Sequence, residues 1–384
     1  MVGTAAARFT LDPSRTGRQA DKLRKDLHRR IVGQDEAIEQ ITKVYQTYLA
    51  GMNRPNQPIG SFLFLGPTGV GKTRVVEATA ESLLGNARGV IKVDCAEFQH
   101  SHEIAKLIGS PPGYLGHRET KSVLSQQELD RYHTADTKVS LVLFDEIEKA
   151  DDALWHLLLG VLDKAELTMG DNSKTDFSRT LIFMTSNLGA KEMQDMVSQG
   201  LGFAGPSHSG PKTNQMQRIG VSAARRRFTP EFINRLDKIV VFERLGQPQL
   251  EQLLTLELAL VQERALSKVP FKFELSEAAK QFLLEEGTDE RYGARHLKRS
   301  IERSLVHPMV SLIATDQVRT GDLIHIDLDT EKRLMVFERV GEGMPVDAMF
   351  RDAGLDIPDG YEAAAATIAD QRITTRNVRT QSPR

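Results

Sequence analysis

The chain has 384 residues, 40% hydrophobic and 27% charged, the proportions of a soluble globular protein with room for two or three domains. Its 50 basic and 52 acidic residues leave a net charge of −2, so no global positive field draws it to nucleic acid or anionic lipid, and neither is an expected partner. The single cysteine, Cys95, excludes an internal disulfide and reads as a buried structural thiol, and no run approaches the ~18 uninterrupted apolar residues of a membrane-spanning helix.

From Leu23 to Ala50 the residues Leu27, Ile31, Ile38, Ile41, Val44, Tyr45 and Leu49 recur at helical spacing, broken at Val32-Gly33-Gln34, which predicts two helices joined by a tight turn. Gly51 to Gly60 is a connector with two prolines and two asparagines, and Ser61 to Leu65 is a short apolar run ending at a glycine, the pattern of a strand buried in a parallel sheet. Four further strands are predicted at Gly89–Asp94, Val139–Phe144, Thr180–Thr185 and Lys238–Phe242, with helical patterning between them. Alternation of this kind predicts a doubly wound α/β domain, whose ligands bind beyond the carboxyl ends of the strands.

The expected division is an N-terminal extension over 1–30, a large domain over 31–245, a smaller α+β domain over 246–338 and a weakly ordered tail over 339–384. The small domain opens on the leucines 250, 253, 254 and 256, continues helical from Ser276 to Ile313, and closes on alternating runs at Leu323–Ile326 and Leu334–Phe337. Ser198 to Gln215, rich in glycine, serine and proline, reads as a long loop. Met1 to Pro13 lacks the charged and apolar regions of a secretory leader, so a cytoplasmic location is expected.

The strongest chemical signal is Gly66-Pro67-Thr68-Gly69-Val70-Gly71-Lys72-Thr73, which follows a strand and opens a helix. Glycines let backbone N–H groups approach phosphates, and the helix N-terminus adds partial positive charge. Lys72 then reaches the β and γ phosphates, and Thr73 ligates Mg2+. The second signal is the strand Leu141–Phe144 delivering Asp145 and Glu146 at its end. Asp145 suits the Mg2+ shell, and Glu146 beside it can polarise a water for in-line attack on a γ-phosphate, so the pair points to a hydrolase using ATP and Mg2+.

Six ordered segments, Ile31–Ile38, Pro58–Thr73, Phe144–Ala150, Thr185–Gly189, Pro230–Asp237 and Tyr292–Arg295, resemble the second ATPase module of the Clp unfoldases, over about Ile31 to Phe337. The resemblance implies an α/β fold class, a P-loop AAA+ doubly wound parallel sheet with a smaller C-terminal α+β domain. It implies that Ile31 and Val32 contact adenine, that Asn187 positions the attacking water, that Arg235 is an arginine finger reaching a neighbouring subunit's γ-phosphate, and that Arg295 reports the nucleotide from the small domain. Read alone, Asn187 could cap a turn and Arg295 could pair with an acid on a helix surface.

Ser110 to His117 resembles the family's pore loop, which implies that Tyr114 and Leu115 grip an extended polypeptide; physically, a tyrosine flanked by glycines is a large apolar group on a mobile mount. Leu201-Gly202-Phe203 lies where protease-linked relatives place a tripeptide that docks on a ClpP-type protease, and an ordinary loop is the alternative. Departures from the family are His117–Lys121 after the pore motif, Ser173 and Lys174 where an arginine is usual in the second pore loop, and His296 after Arg295. The expectation is therefore a homo-oligomer, a hexamer by resemblance, that hydrolyses ATP to unfold or disaggregate protein. The alternatives are the ATPase component of a Clp-type protease, and a nucleic-acid remodeller or nucleotide-switched regulator on the same fold.

Overall fold

The computed structural model describes residues 12–109, 122–199, 212–288 and 293–354, which fall into two units, the first holding 12–249 with 293–294 and the second 250–288 with 295–354. In the first unit, α1 (Arg18–Arg30) and α2 (Asp35–Leu49) precede β1 (Gly60–Leu65), α3 (Lys72–Leu84) and β2 (Val90–Asp94). Two short helices, α4 (Ala105–Ile108) and α5 (Gln126–Asp130), lead to β3 (Ser140–Asp145), α6 (Asp152–Lys164) and a hairpin of β4 (Glu166–Thr168) and β5 (Lys174–Asp176). β6 (Thr180–Ser186), α7 (Ala190–Gln199), α8 (Lys212–Arg227), α9 (Pro230–Arg235) and β7 (Lys238–Val241) complete it.

The five long strands form one parallel sheet in the order β2-β3-β6-β1-β7. Both faces of the central strands β1, β3 and β6 are covered, which is why these strands read as continuous apolar runs rather than alternating ones. Phe62 and Phe64 of β1 face a layer that includes Leu23, Leu27, Ile38, Val75 and Val76, with Phe62 stacked on Phe183 at 5.1 Å. Leu63 and Leu65 face the other layer, with Trp155, Leu158, Phe228 and Phe232. The sheet is pinned by Asp237, whose carboxylate accepts from the Ser61 backbone N–H at 2.8 Å and from the Ser61 hydroxyl at 2.9 Å.

Two expected boundaries move. The extension placed over 1–30 contains α1, and because Ala20, Leu23 and Leu27 are fully buried against the sheet's helical layer, α1 is part of the first unit. The tail expected to be weakly ordered from 339 carries the end of a strand, Leu334–Gly341, and then a helix whose Met349 and Phe350 are buried with Leu266. Residues 198–199 and 212–215 of the predicted long loop belong to α7 and α8, and 200–211 lie outside the described residues.

The second unit comprises α10 (Gln247–Lys268), β8 (Lys272–Leu275), α11 (Glu277–Gly287), α12 (Ala294–Ile301), α13 (His307–Ala314), β9 (Leu323–Asp329), β10 (Leu334–Gly341) and α14 (Val346–Asp352). Its three-stranded sheet has the order β10-β9-β8, antiparallel at the first pair and parallel at the second. A π-helical turn, Glu302–Val306, joins α12 to α13 just ahead of Pro308. Proline lacks the N–H and its ring crowds the preceding turn, and the wider turn accommodates both.

Candidate active site

The loop Gly66–Gly71 leaves β1 and enters α3, and three of its glycines take positive φ: Gly66 at 141°, Gly69 at 83° and Gly71 at 100°. A Cβ on Gly66 would stand 2.7 Å from the Phe242 carbonyl oxygen, so the loop's first corner excludes any other residue. Lys72 opens α3 and is buried; its ammonium donates to the carbonyls of Gly66 at 2.6 Å and Pro67 at 2.8 Å and to Asn187 Oδ1 at 2.9 Å. Thr73 follows it, partly buried in the first turn.

The loop is held from behind by a residue the sequence reading did not single out. Gln34, buried in the turn between α1 and α2, donates its amide to the Val70 carbonyl at 3.1 Å and to the Glu243 carbonyl at 2.9 Å. Its neighbour Ile31 is buried in one apolar cluster with Val70, and Val32 is partly buried. Gln34 is a buried polar side chain directly after a positive-φ glycine, Gly33, and its amide is satisfied by the two backbone carbonyls. Ala294 donates its N–H to Gly69 O at 3.2 Å, bringing the segment before Arg295 onto the loop within the first unit.

At the end of β3, Asp145 accepts a short hydrogen bond from the Thr185 hydroxyl, and the same hydroxyl accepts from the Glu146 N–H at 3.1 Å. Thr185 is buried in β6 beside β3, so one threonine fixes both acids; it was quoted in a motif but given no role. Glu146 itself takes a left-handed backbone, φ 57°, which bends the chain sharply off the strand. Positive φ in a residue with a long side chain is strained, and such strain gathers at functional sites.

Asn187, one residue past β6, is the hub. Its carbonyl oxygen receives Lys72 at 2.9 Å and the Thr68 hydroxyl at 3.4 Å, while its amide nitrogen donates to Glu146 Oε1 at 3.2 Å. The other oxygen of Glu146 pairs with Lys149, and this ammonium, with help from Asn187 and the charge of Lys72, holds the Glu146 carboxyl below the ordinary range against a smaller opposing effect of burial. Burial pushes the nearby Cys95 thiol well up, which keeps it protonated as the predicted structural thiol.

The structure thus gathers Gly66 through Lys72, Asp145, Glu146 and Asn187 at the carboxyl ends of β1, β3 and β6. Arg235 stands elsewhere, at the end of α9, paired with Asp163 and Glu231; the Asp163 contact raises its already high pKa further. Arg295 is an exposed residue of α12 that falls in the second unit. Tyr114, Leu115, Leu201, Gly202 and Phe203 lie outside the described residues. In the second pore-loop segment, Lys174 is tied to Glu166 across the hairpin at 2.7 Å. Among the described residues there is no His, Cys, Asp and Glu cluster able to hold a metal by side chains alone, and no helix is long and apolar enough to cross a membrane.

Residues 57–239 match the family AAA domain (Cdc48 subfamily), and residues 245–326 match the C-terminal, D2-small domain of ClpB protein. The ATP-dependent Clp protease ATP-binding subunits ClpC of Staphylococcus saprophyticus and Staphylococcus epidermidis are each 38% identical over 307 residues, 80% of this chain and 36% of the relative. The chain thus spans about a third of the length of these relatives. The closed-state cryoEM reconstruction of Hsp104 with ATPγS and FITC casein superimposes with a TM-score of 0.70 at 30% identity, covering 84% of this chain and 52% of that one.

Proposed function

Because the chain belongs to the AAA ATPases, an AAA domain followed by a ClpB-type D2-small domain, we propose that it hydrolyses ATP and uses the cycle to unfold or disaggregate protein. One observation carries the hydrolytic reading: the Asn187 side chain links Lys72, at 2.9 Å, to Glu146, at 3.2 Å, so the phosphate-binding lysine and the candidate base converge on one polar group. A triphosphate that draws Lys72 off the carbonyls of Gly66 and Pro67 also releases the Asn187 oxygen.

The residues fit the nucleotide and its cation. The positive-φ corners at Gly69 and Gly71 leave the loop open to phosphate oxygens, and around Gly71 no heavy atom lies within 4 Å of a built Cβ. Thr73 and Asp145 would hold Mg2+, which would supply charge neutralisation to the phosphates. Glu146, ionised and oriented by Asn187 and Lys149, accepts the proton of the attacking water, and Asn187 holds that water in line. Ile31 and Val32 form the apolar side of the adenine pocket, and Arg295 senses the nucleotide.

Arg235 acts on the γ-phosphate of an adjacent subunit, which makes the working form a ring, a hexamer by analogy, with Tyr114 and Leu115 gripping polypeptide in its pore. The reading rests on likeness to ClpC and Hsp104, the latter solved with casein, and fits a cytoplasmic protein. The name of the ClpC relatives, subunits of a Clp protease, favours a second reading in which Leu201-Gly202-Phe203 docks a ClpP-type protease. The direct test is Glu146→Gln: nucleotide affinity should stay within about twofold while ATP turnover falls at least about 100-fold, the usual contribution of a general base. Turnover at the wild-type rate refutes the assignment.

A further inference from the structure

Resting on the ATPase reading above, we propose that Arg227 is a positioning residue for hydrolysis, fixing from α8 the turn that carries Glu146. The turn Ile147–Lys149 follows a residue of strained backbone and is braced locally by two backbone hydrogen bonds, Lys149 N–H to Glu146 O at 2.9 Å and Ala150 N–H to Ile147 O at 3.3 Å. Two of its carbonyls are held from outside. Ile147 O accepts the Trp155 indole N–H at 3.1 Å, and Glu148 O accepts both Nε and Nη2 of Arg227, at 3.2 and 2.9 Å.

The two donors brace each other. The Arg227 guanidinium lies 4.2 Å from the centre of the buried Trp155 ring, and Phe228, the next residue, meets the same indole edge-on at 5.1 Å. A cation over the ring face and a two-point fork to one oxygen set position and angle together, which a lysine ammonium does not. On its other side the turn reaches the catalytic hub, since Glu148 Oε1 accepts the Asn187 backbone N–H at 3.0 Å. Displacement of this turn therefore moves Glu146 and Asn187 together, and misplacement of a base by about 1 Å is enough to cost up to about 100-fold in rate. Arg227 itself lies at the surface, and its hydrogen bonds and ring contact go to Glu148 and Trp155 rather than to the phosphate loop, so its effect is on turnover rather than on nucleotide affinity.

The experiment uses the full chain with Arg227→Ala, Arg227→Lys and, as a neighbour paired with exposed Glu192, Arg226→Ala. Expected for Arg227→Ala is a fall in kcat of about 10-fold or more with KM for ATP within about twofold, partial recovery in Arg227→Lys, and near-normal kcat in Arg226→Ala. Binding of a fluorescent ATP analogue and the thermal midpoint are read on every variant. A folded Arg227→Ala protein with wild-type kcat overturns the proposal, as does a loss shared equally by Arg226→Ala, or one that tracks a lowered midpoint and rises with KM. A wild-type chain without turnover instead sinks the ATPase reading itself, whereas wild-type turnover indifferent to Arg227 sinks this proposal alone.

Discussion

Glu146 shares its carboxylate between Lys149 and Asn187, and the Lys149 pairing is the main reason its pKa lies below the ordinary carboxylate value. A depressed carboxyl contributes stability above its unfolded pKa and loses it as pH falls through the folded one; by the same sign, it stays ionised further into acid, as the proposed base requires. Lys149→Met should let the pKa rise, so the acid limb of the kcat/KM profile moves to higher pH, and the rate near neutrality also falls because the carboxylate loses one of its two anchors. An acid limb that stays in place would show that another group sets it. Both side chains are partly exposed, so the pair orients the base more than it stabilises the fold.

At the scale of elements, the parallel sheet was legible because burial on both faces writes itself as continuous apolar runs, as in Ser61–Leu65 and Leu141–Phe144. The phosphate loop and strand-end acids were equally plain, since glycine, lysine and paired carboxylates are required there by type. Elements held by few apolar side chains were not. The start of α1 shows only Ala20 and Leu23 among charged neighbours, and α14 offers little beyond Met349 and Phe350. β8 is four residues long and alternates too briefly to separate from the helices around it. The roles of Gln34, Glu148 and Arg227 were invisible for a different reason: each depends on backbone carbonyl or N–H groups, which every residue carries and no motif marks. For α14 the packing has a measurable consequence. Phe350→Ala should lower the unfolding free energy of the small unit by about 3 kcal/mol, the low end for a buried phenylalanine because its cluster has only three buried members. A loss under about 0.5 kcal/mol, the range of surface substitutions, in urea denaturation would mean that the helix is not docked.

For the molecule as a whole, the proposed arginine finger is displaced from the other proposed site residues. The loop, the two acids and Asn187 converge at one end of the sheet, whereas Arg235 pairs with Asp163 and Glu231 at the end of α9, with about a third of its side chain exposed. An arginine placed in this way suits service to a neighbouring copy rather than to its own nucleotide, and a heterologous contact that closes yields a ring. Arg235→Ala and Glu146→Gln should then each be inactive for complementary reasons. The decisive measurement is the ATPase rate of the two variants mixed and allowed to exchange subunits. If the arginine acts across the interface, about a quarter of the contacts in an equal, random mixture unite an intact base with an intact arginine, and turnover rises well above that of either variant alone. A mixture no more active than the mean of its two components would contradict the shared-site account.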